Sequence, residues 1–207
     1  MQGPFELVVV DGGSTDATAA LVREHAKTIP GTVTLLAAPR GRSSQMNAGA
    51  HAARGEVLLF LHADCQIPPD SLRVIADACS ASGVCGGAFV QARDGAGIVS
   101  AACCSVANTL AARSGLFFGD FGIFVRRDHF FAAGGFPVIP YCEDVEFCRA
   151  VRSSGRMVQV DRVIRSSPRR FERVGRTRLT AVYALATVLN RAGIRPRCLE
   201  RYIVDRG

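Results

Sequence analysis

Two side chains that could bind a metal stand two residues apart at the end of an apolar run, His62 and Asp64 in Val57–Asp64, VLLFLHAD. Side chains two apart on a strand share a face, so the pair can converge on one cation. The carboxylate suits Mg²⁺ or Mn²⁺, and the imidazole leans toward Mn²⁺. The same two residues also suit plain structural duty, as a hydrogen-bonded core histidine and a carboxylate ahead of the next helix. Glu143 and Asp144 open an amphipathic stretch. The helix dipole alone favours carboxylates there, but one facing the same cleft as Asp64 could take a proton. Asp11-Gly12-Gly13-Ser14-Thr15-Asp16 follows a Val-rich run. Asp11 could accept hydrogen bonds from a base or ribose, and Gly12 and Gly13 let the backbone turn sharply and approach a ligand. A plain strand–turn–helix with capping side chains would look the same. The turn is neither a P-loop, lacking GK[ST], nor a GxGxxG fingerprint. Finally, Arg162–Arg178 contains Arg169-Arg170-Phe171-Glu172-Arg173. Guanidinium forks bind phosphates bidentately, and beside an aromatic they can also suit nucleic acid.

The elements that would position these groups alternate. Phe5–Val10, Val33–Ala37 and Val57–Leu61 are short apolar, β-branched or Leu-rich runs that predict buried strands. Ala17–Ala26 and Ser44–Ala53 predict helices between them, with Pro39-Arg40-Gly41 breaking the second strand from the second helix. Pro68-Pro69-Asp70 opens another helix through Cys79. This order predicts an α/β fold with a mostly parallel sheet and helices on both faces. Ligands in such sheets sit beyond the carboxyl ends of strands, where Asp11 and Asp64 fall. The middle is less regular. Gly86–Gln91 and Phe121–Arg126 predict strands, Ile98–Arg113 a helix, Gly134-Gly135-Phe136-Pro137 a turn, Glu143–Ser153 a helix, Met157–Val160 a short strand and Leu179–Asn190 a last apolar helix. No repeat or linker divides residues 1–207, which read as one domain, with 177–207 as an apolar, basic helical extension.

Composition bounds the classes. The chain has 207 residues, 48% of them hydrophobic and 21% charged, so it can build a core and is not a disordered sequence. No run reaches the ~18 apolar residues of a spanning helix. The start has no basic signal-peptide region, so a cytoplasmic protein is the expectation. Eight cysteines occur without a CxxC pair or zinc-like spacing, and they read as small buried hydrophobes of a reducing compartment. The net charge of +7 is uneven: residues 151–207 hold 14 basic groups, all arginine, and 4 acidic ones. That excess of +10 calls for an anionic partner, namely phosphate, a lipid headgroup or nucleic acid. A basic region beside the apolar helix Leu179–Asn190, too short to span, also fits peripheral attachment to the inner face of a membrane. No nucleic-acid motif is present, so a specific nucleic-acid partner is not expected.

Taken in order, these pieces resemble the family 2 glycosyltransferases. Val8–Asp16, VVVDGGSTD, resembles the family's strand with its Asp and Gly-Ser-Thr-Asp turn. Gly41–Ala50, GRSSQMNAGA, is similar to the segment that supplies an Arg and an Asn. Gly55–Asp64, GEVLLFLHAD, is similar to the strand ending in the DxD metal motif, and Phe118–Phe124, FGDFGIF, to the acceptor-side segment. Gly134–Pro137, GGFP, followed by Glu143-Asp144, is similar to the stretch that carries the catalytic base. The His-Ala-Asp form and QMNAGA resemble a small bacterial subgroup, some members of which are linked to arsenosugar biosynthesis. The resemblance implies a GT-A, Rossmann-like fold and an inverting, metal-assisted transfer of a sugar from a nucleotide-diphosphate sugar to an acceptor hydroxyl. It implies catalytic roles for Asp144 and Glu143, substrate binding by Asp11, Gly13, Arg42, Asn47, Asp120, Arg169 and Arg170, and a divalent ion, Mn²⁺ or Mg²⁺, on Asp64 and His62. Two departures stand out. His62 replaces the first Asp of the usual Asp-x-Asp. The first strand here also corresponds to the family's second, so the fold apparently lacks the first strand, base-binding loop and helix. The expectation is an N-terminally truncated transferase, and the alternative is a non-catalytic nucleotide-sugar-binding remnant.

Overall fold

The computed structural model describes residues 5–93, 98–167, 175–194, 196, 198, 199 and 203. The chain opens with β1 (Glu6–Asp11), α1 (Thr18–Ala26), β2 (Thr32–Ala37), α2 (Arg42–Ala52) and β3 (Val57–Phe60). It continues through β4 (Cys65–Gln66), α3 (Ser71–Ser80), β5 (Val84–Arg93) and α4 (Ile98–Ser114). A single 3-10 turn, Gly119–Phe121, leads into β6 (Ile123–Arg126), followed by α5 (Arg127–Ala132), α6 (Glu143–Val151), β7 (Arg156–Ser166) and α7 (Arg176–Arg191). The α/β alternation is the expected one.

The sheet, expected to be mostly parallel, is mixed. β1 and β2 pair in parallel, from Glu6 with Thr32 to Asp11 with Ala37. A second sheet runs β3-β6-β5-β7-β4. β5 and β7 are parallel, while β6 is antiparallel to both β3 and β5, and β4 is antiparallel to β7. The cause lies in how the chain enters β6. Ile123 pairs with Phe60, so β6 starts at the carboxyl end of β3. The 3-10 turn delivers it there, and Gly122, at φ 64°, reverses the backbone; a Cβ on it would lie 2.8 Å from Ile164 Cδ1. Sequence periodicity had extended this strand back to Phe121, which instead belongs to the turn.

The five-stranded sheet has an apolar layer on each face. Phe89, Phe124 and Ile164 pack with Ile75 and Cys79 of α3. On the other face Ala88, Ile123 and Val125 meet Ala111 of α4, Phe130 of α5 and Phe147 of α6. Phe60, Phe130, Phe136 and Phe147 form an aromatic nucleus there, the Phe136 and Phe147 rings stacked at 4.1 Å. α7 packs outside α6, with Leu179 and Ala186 buried. The β1–β2 unit is held to this core by α2, whose Ala50 is buried and whose Gly49 lies 3.2 Å from Val10 Cγ2 when given a Cβ. Glu6 Oε1 also accepts the Arg54 and Gly55 N–H groups, at 2.5 and 2.8 Å, tying the start of β1 to the approach to β3. Among the described residues β1 and β2 pair only with each other, and β3 pairs only with β6. All eight cysteines are free thiols and five of them are buried, in keeping with apolar packing roles. Among the described residues no helix is long and apolar enough to cross a membrane.

Candidate active site

The carboxyl end of β3 and the amino end of β6 converge, and the site is built where they meet. β3 ends at Phe60. His62 and Asp64 therefore lie beyond the strand, in a turn closed by the Cys65 N–H donating to His62 O at 3.0 Å. The shared-face spacing expected of a strand does not apply to them. His62 is half-buried, and its imidazole presses on Gly119 so closely that any Cβ there would collide with Nε2. Asp64 is exposed, and its carbonyl accepts the Ser167 N–H at 3.1 Å, fastening the turn to the end of β7.

Gly119 connects this turn to the carboxylate pair. Its N–H donates to Asp144 Oδ2 at 2.7 Å, and Asp144 Oδ1 accepts the Val145 N–H at 2.7 Å. Asp144 and Glu143, at 5% and 2% exposure, open α6, where the unpaired amides of a first turn and the helix dipole favour negative charge. The chain reaches that position through Cys142, the one described non-glycine residue at positive φ, 60°. Arg42, first residue of α2, supplies the counter-charge, its Nε 3.0 Å from Glu143 Oε1.

The electrostatics follow from burial. Burial pushes Glu143 up to about 7; the Asp144 charge adds to the rise and Arg42 opposes it. Asp144 is also raised by burial, against the pull of Arg42 and of the Gly119 and Val145 amides. For Arg42, burial pulls down, but Glu143 and Asp144 outweigh it and hold the guanidinium above its ordinary value. Asp120 helps raise both Asp144 and the Cys65 thiol, the latter pushed to about 12, chiefly by burial and then by Asp64. Asp120 thus couples the Asp64 turn to the carboxylate pair. Its Oδ2 accepts from Gln91 Nε2 at 3.3 Å, and the same Nε2 lies 3.2 Å from Ser166 Oγ.

The expected site residues divide accordingly. His62, Asp64, Asp120, Glu143, Asp144 and Arg42 form one neighbourhood. Glu143, expected as a second catalytic carboxylate, is the ion-pair partner of Arg42. Asn47, expected at the substrate, spends its amide on the backbone: Nδ2 donates to Phe136 O at 2.8 Å and Oδ1 accepts the Phe136 N–H at 2.9 Å. It clamps the Gly134–Pro137 turn that precedes α6, and Ser43 Oγ adds a bond to Pro137 O at 2.8 Å. Asp11 stands at the end of β1 as expected, with its carboxylate accepting the Ser14 hydroxyl at 2.5 Å and N–H at 3.1 Å. Those bonds hold it below the usual carboxylate range. Gly13, at φ 91°, faces open space. Arg169 and Arg170 lie outside the described residues. The residues that sequence reasoning missed are Gly119, Gln91 and Ser166. Of these, only Gln91 carried a signal, as a lone amide in the apolar run Gly87–Ala92.

Among the described residues no three His, Cys, Asp or Glu side chains form a self-sufficient metal cage. A Mg²⁺ or Mn²⁺ ion that shares its shell with substrate phosphates needs only one or two protein carboxylates, and the exposed Asp64 fits that requirement.

Known proteins match this architecture. The sequence model described as glycosyl transferase family 2 matches residues 2–127, more than half of the chain. An undecaprenyl-phosphate 4-deoxy-4-formamido-L-arabinose transferase from Pseudomonas fluorescens (strain Pf0-1) is 36% identical over 77 residues, 36% of this chain and 23% of that protein. A mannosyltransferase from Pyrobaculum calidifontis, solved with GDP-Man and Mn²⁺, superposes with a TM-score of 0.66 at 22% identity over 95% of this chain and 58% of its own. S. aureus TarS 1–349, solved with UDP-GlcNAc, superposes with a TM-score of 0.56 at 17% identity over 79% of this chain and 49% of its own. These solved likenesses show the GT-A fold. The chain spans about a quarter of the length of the first curated relative and a little over half of the mannosyltransferase.

Proposed function

The chain belongs to glycosyl transferase family 2, and on that footing we propose that it transfers a sugar from a nucleoside-diphosphate sugar to an acceptor hydroxyl with inversion, Asp144 acting as general base. One observation carries the assignment of the base. Asp144 is a buried carboxylate, oriented by the Gly119 and Val145 amides, in the loop neighbourhood that His62 and Asp120 also line. Burial raises its proton affinity, which strengthens it as a base near neutral pH. The two amides fix its direction and oppose that rise by favouring the carboxylate form that can take a proton. Glu143 is paired with Arg42 and lends the guanidinium its position. In a single displacement, the acceptor oxygen attacks the anomeric carbon, its proton passes to Asp144, and the nucleoside diphosphate leaves with the bonding pair. Asp11 and Gly13 are assigned to the nucleoside side, and Asp120 to the acceptor.

A divalent cation, which the mannosyltransferase neighbour binds as Mn²⁺, would be held by Asp64 with His62 beside it and would supply charge neutralisation to the leaving diphosphate. The neighbours solved with GDP-Man and UDP-GlcNAc support the donor class. Peripheral attachment to an anionic membrane is the companion proposal. On α7, Ala181, Leu185 and Val188 form an exposed stripe opposite the buried Leu179, Ala186 and Asn190, and Arg178 is exposed at its start. A screen of nucleoside-diphosphate sugars with Mn²⁺ or Mg²⁺, reading nucleoside diphosphate release, tests the transferase assignment. Donor binding without release selects a non-catalytic binding protein instead.

A further inference from the structure

Among the described residues, one flank of the sheet is incompletely covered. Between α4 and strands β5 and β7 runs a groove of about 590 Å³, within the range of roughly 300–1,000 Å³ typical of small-molecule sites. Val90, Ala92, Ala101, Cys104 and Ala112 give it apolar walls. Gln91 also lines it and is 2% exposed. Its backbone is fixed by Asn108 of α4, whose Oδ1 accepts the Gln91 N–H at 2.8 Å and whose Nδ2 donates to Gln91 O at 2.9 Å. Its side-chain amide reaches Asp120 Oδ2 at 3.3 Å. The groove and the candidate active site therefore share one buried residue. α4 itself is unusual. In Ile98–Ser114 the only charged side chain is Arg113, a composition that normally marks a helix buried all round. Yet Val106 and Leu110, one turn apart on its outer side, are 59% and 60% exposed.

We propose that this groove holds the apolar portion of the acceptor, and that the acceptor is an amphipathic alcohol whose hydroxyl end passes Gln91 to reach Asp120 and Asp144. The reacting end is neutral because, among the described residues, the cluster it approaches holds Asp120, Glu143 and Asp144 beside the guanidinium of Arg42, and an anionic head would meet like charge. The tail is apolar because the walls offer it dispersion contact and removal from water. The acceptor role rests on the transferase assignment; occupancy of the groove by an apolar chain does not.

The test uses n-alkyl β-glucosides from hexyl to decyl, titrated calorimetrically into the whole chain below their micelle concentrations. Burying one methylene is worth about 0.8 kcal/mol, so each added carbon tightens binding about fourfold while the groove fills. Ala112→Phe and Ser105→Phe place a ring in the groove from exposed positions of α4. Both abolish the chain-length gradient and leave nucleoside-diphosphate binding unchanged. A gradient that is absent from the wild type, or that persists in both variants, overturns the groove. So does a dimer that dissociates on Ala112→Phe, because it assigns the surface to a second copy. Failure of the transferase assignment shows separately, as lost nucleotide binding with the gradient intact.

Discussion

Replacing Arg42 by Gln leaves Glu143 buried without its counter-charge. The pair is 3.0 Å apart, with side-chain exposures of 37% for Arg42 and 3% for Glu143. At an effective dielectric constant near 20, unit charges at that distance attract by about 5 kcal/mol. Water at the half-open guanidinium screens part of this, which leaves about 3 kcal/mol, at the lower end of what breaking a buried pair costs. For a chain of this size that is a fall in Tm of about 6–12 °C. The cost must depend on pH, and the sign follows from Glu143. Its folded-state pKa is raised from 4.5 to about 7, so folding favours the protonated form. The stability this contributes is complete below about 4.5 and fades as pH rises toward 7. At pH 5.5 the carboxyl is mostly protonated in the folded state, and losing Arg42 should cost about 1 kcal/mol or less. At pH 8.5 it is ionised and the full loss appears. Thermal unfolding followed by circular dichroism at both pH values measures the difference, and the double variant Arg42→Gln with Glu143→Gln should recover most of the loss at pH 8.5. An equal penalty at both pH values, or a double variant no more stable than Arg42→Gln, would refute the ion pair as the source.

Three further outcomes are expected. The acid limb of kcat/KM, set by Asp144 in the free enzyme, lies above the ordinary carboxylate range, and Asp120→Asn moves it to lower pH because Asp120 helps raise Asp144; a pH–rate profile of each checks this. Asp64→Ala removes metal-dependent transfer while its Tm stays close to wild type, since Asp64 is exposed and such substitutions usually stay within about 0.5 kcal/mol; His62→Ala acts more mildly and shifts metal preference, read by activity across Mn²⁺ and Mg²⁺. The protein floats with anionic liposomes at low salt and is released as salt rises, and Leu185→Glu together with Val188→Glu weakens this by charging the α7 stripe; absence of flotation at low salt removes the membrane proposal.

The legible part of the fold was the part written in local pattern. The Val-rich β1 with its Asp11 turn, the apolar β3 and the amphipathic α6 all fall where periodicity and turn residues place them. The direction of β6 was not legible, because periodicity shows that a strand exists but not which end of the sheet it enters. That depended on the 3-10 turn and on Gly122. The site was legible by residue type and not by partner. His62, Asp64, Asp120, Glu143, Asp144 and Arg42 were all singled out, but their division of labour is three-dimensional. Arg42 and Glu143 are about a hundred positions apart in sequence, and only the fold, which brings the start of α2 to the start of α6, shows that they pair. Asn47 was expected at the substrate because Gly41–Ala50 resembles the family segment that supplies an Asn; its partner in the fold, the Phe136 backbone, lies 89 residues away. Gly119 could not be recognised as the amide donor to Asp144 without the coordinates of the turn.

The most direct test compares wild type with Asp144→Asn, measuring nucleoside-diphosphate release from the preferred donor together with donor affinity by calorimetry. Asparagine keeps the size and can still accept the Gly119 N–H, but it cannot take a proton from the acceptor. The account predicts turnover lower by at least ~10²-fold, the range for loss of a general base, with donor affinity nearly unchanged and the fold intact. Turnover by Asp144→Asn equal to that of the wild type, at matched donor affinity, would contradict it.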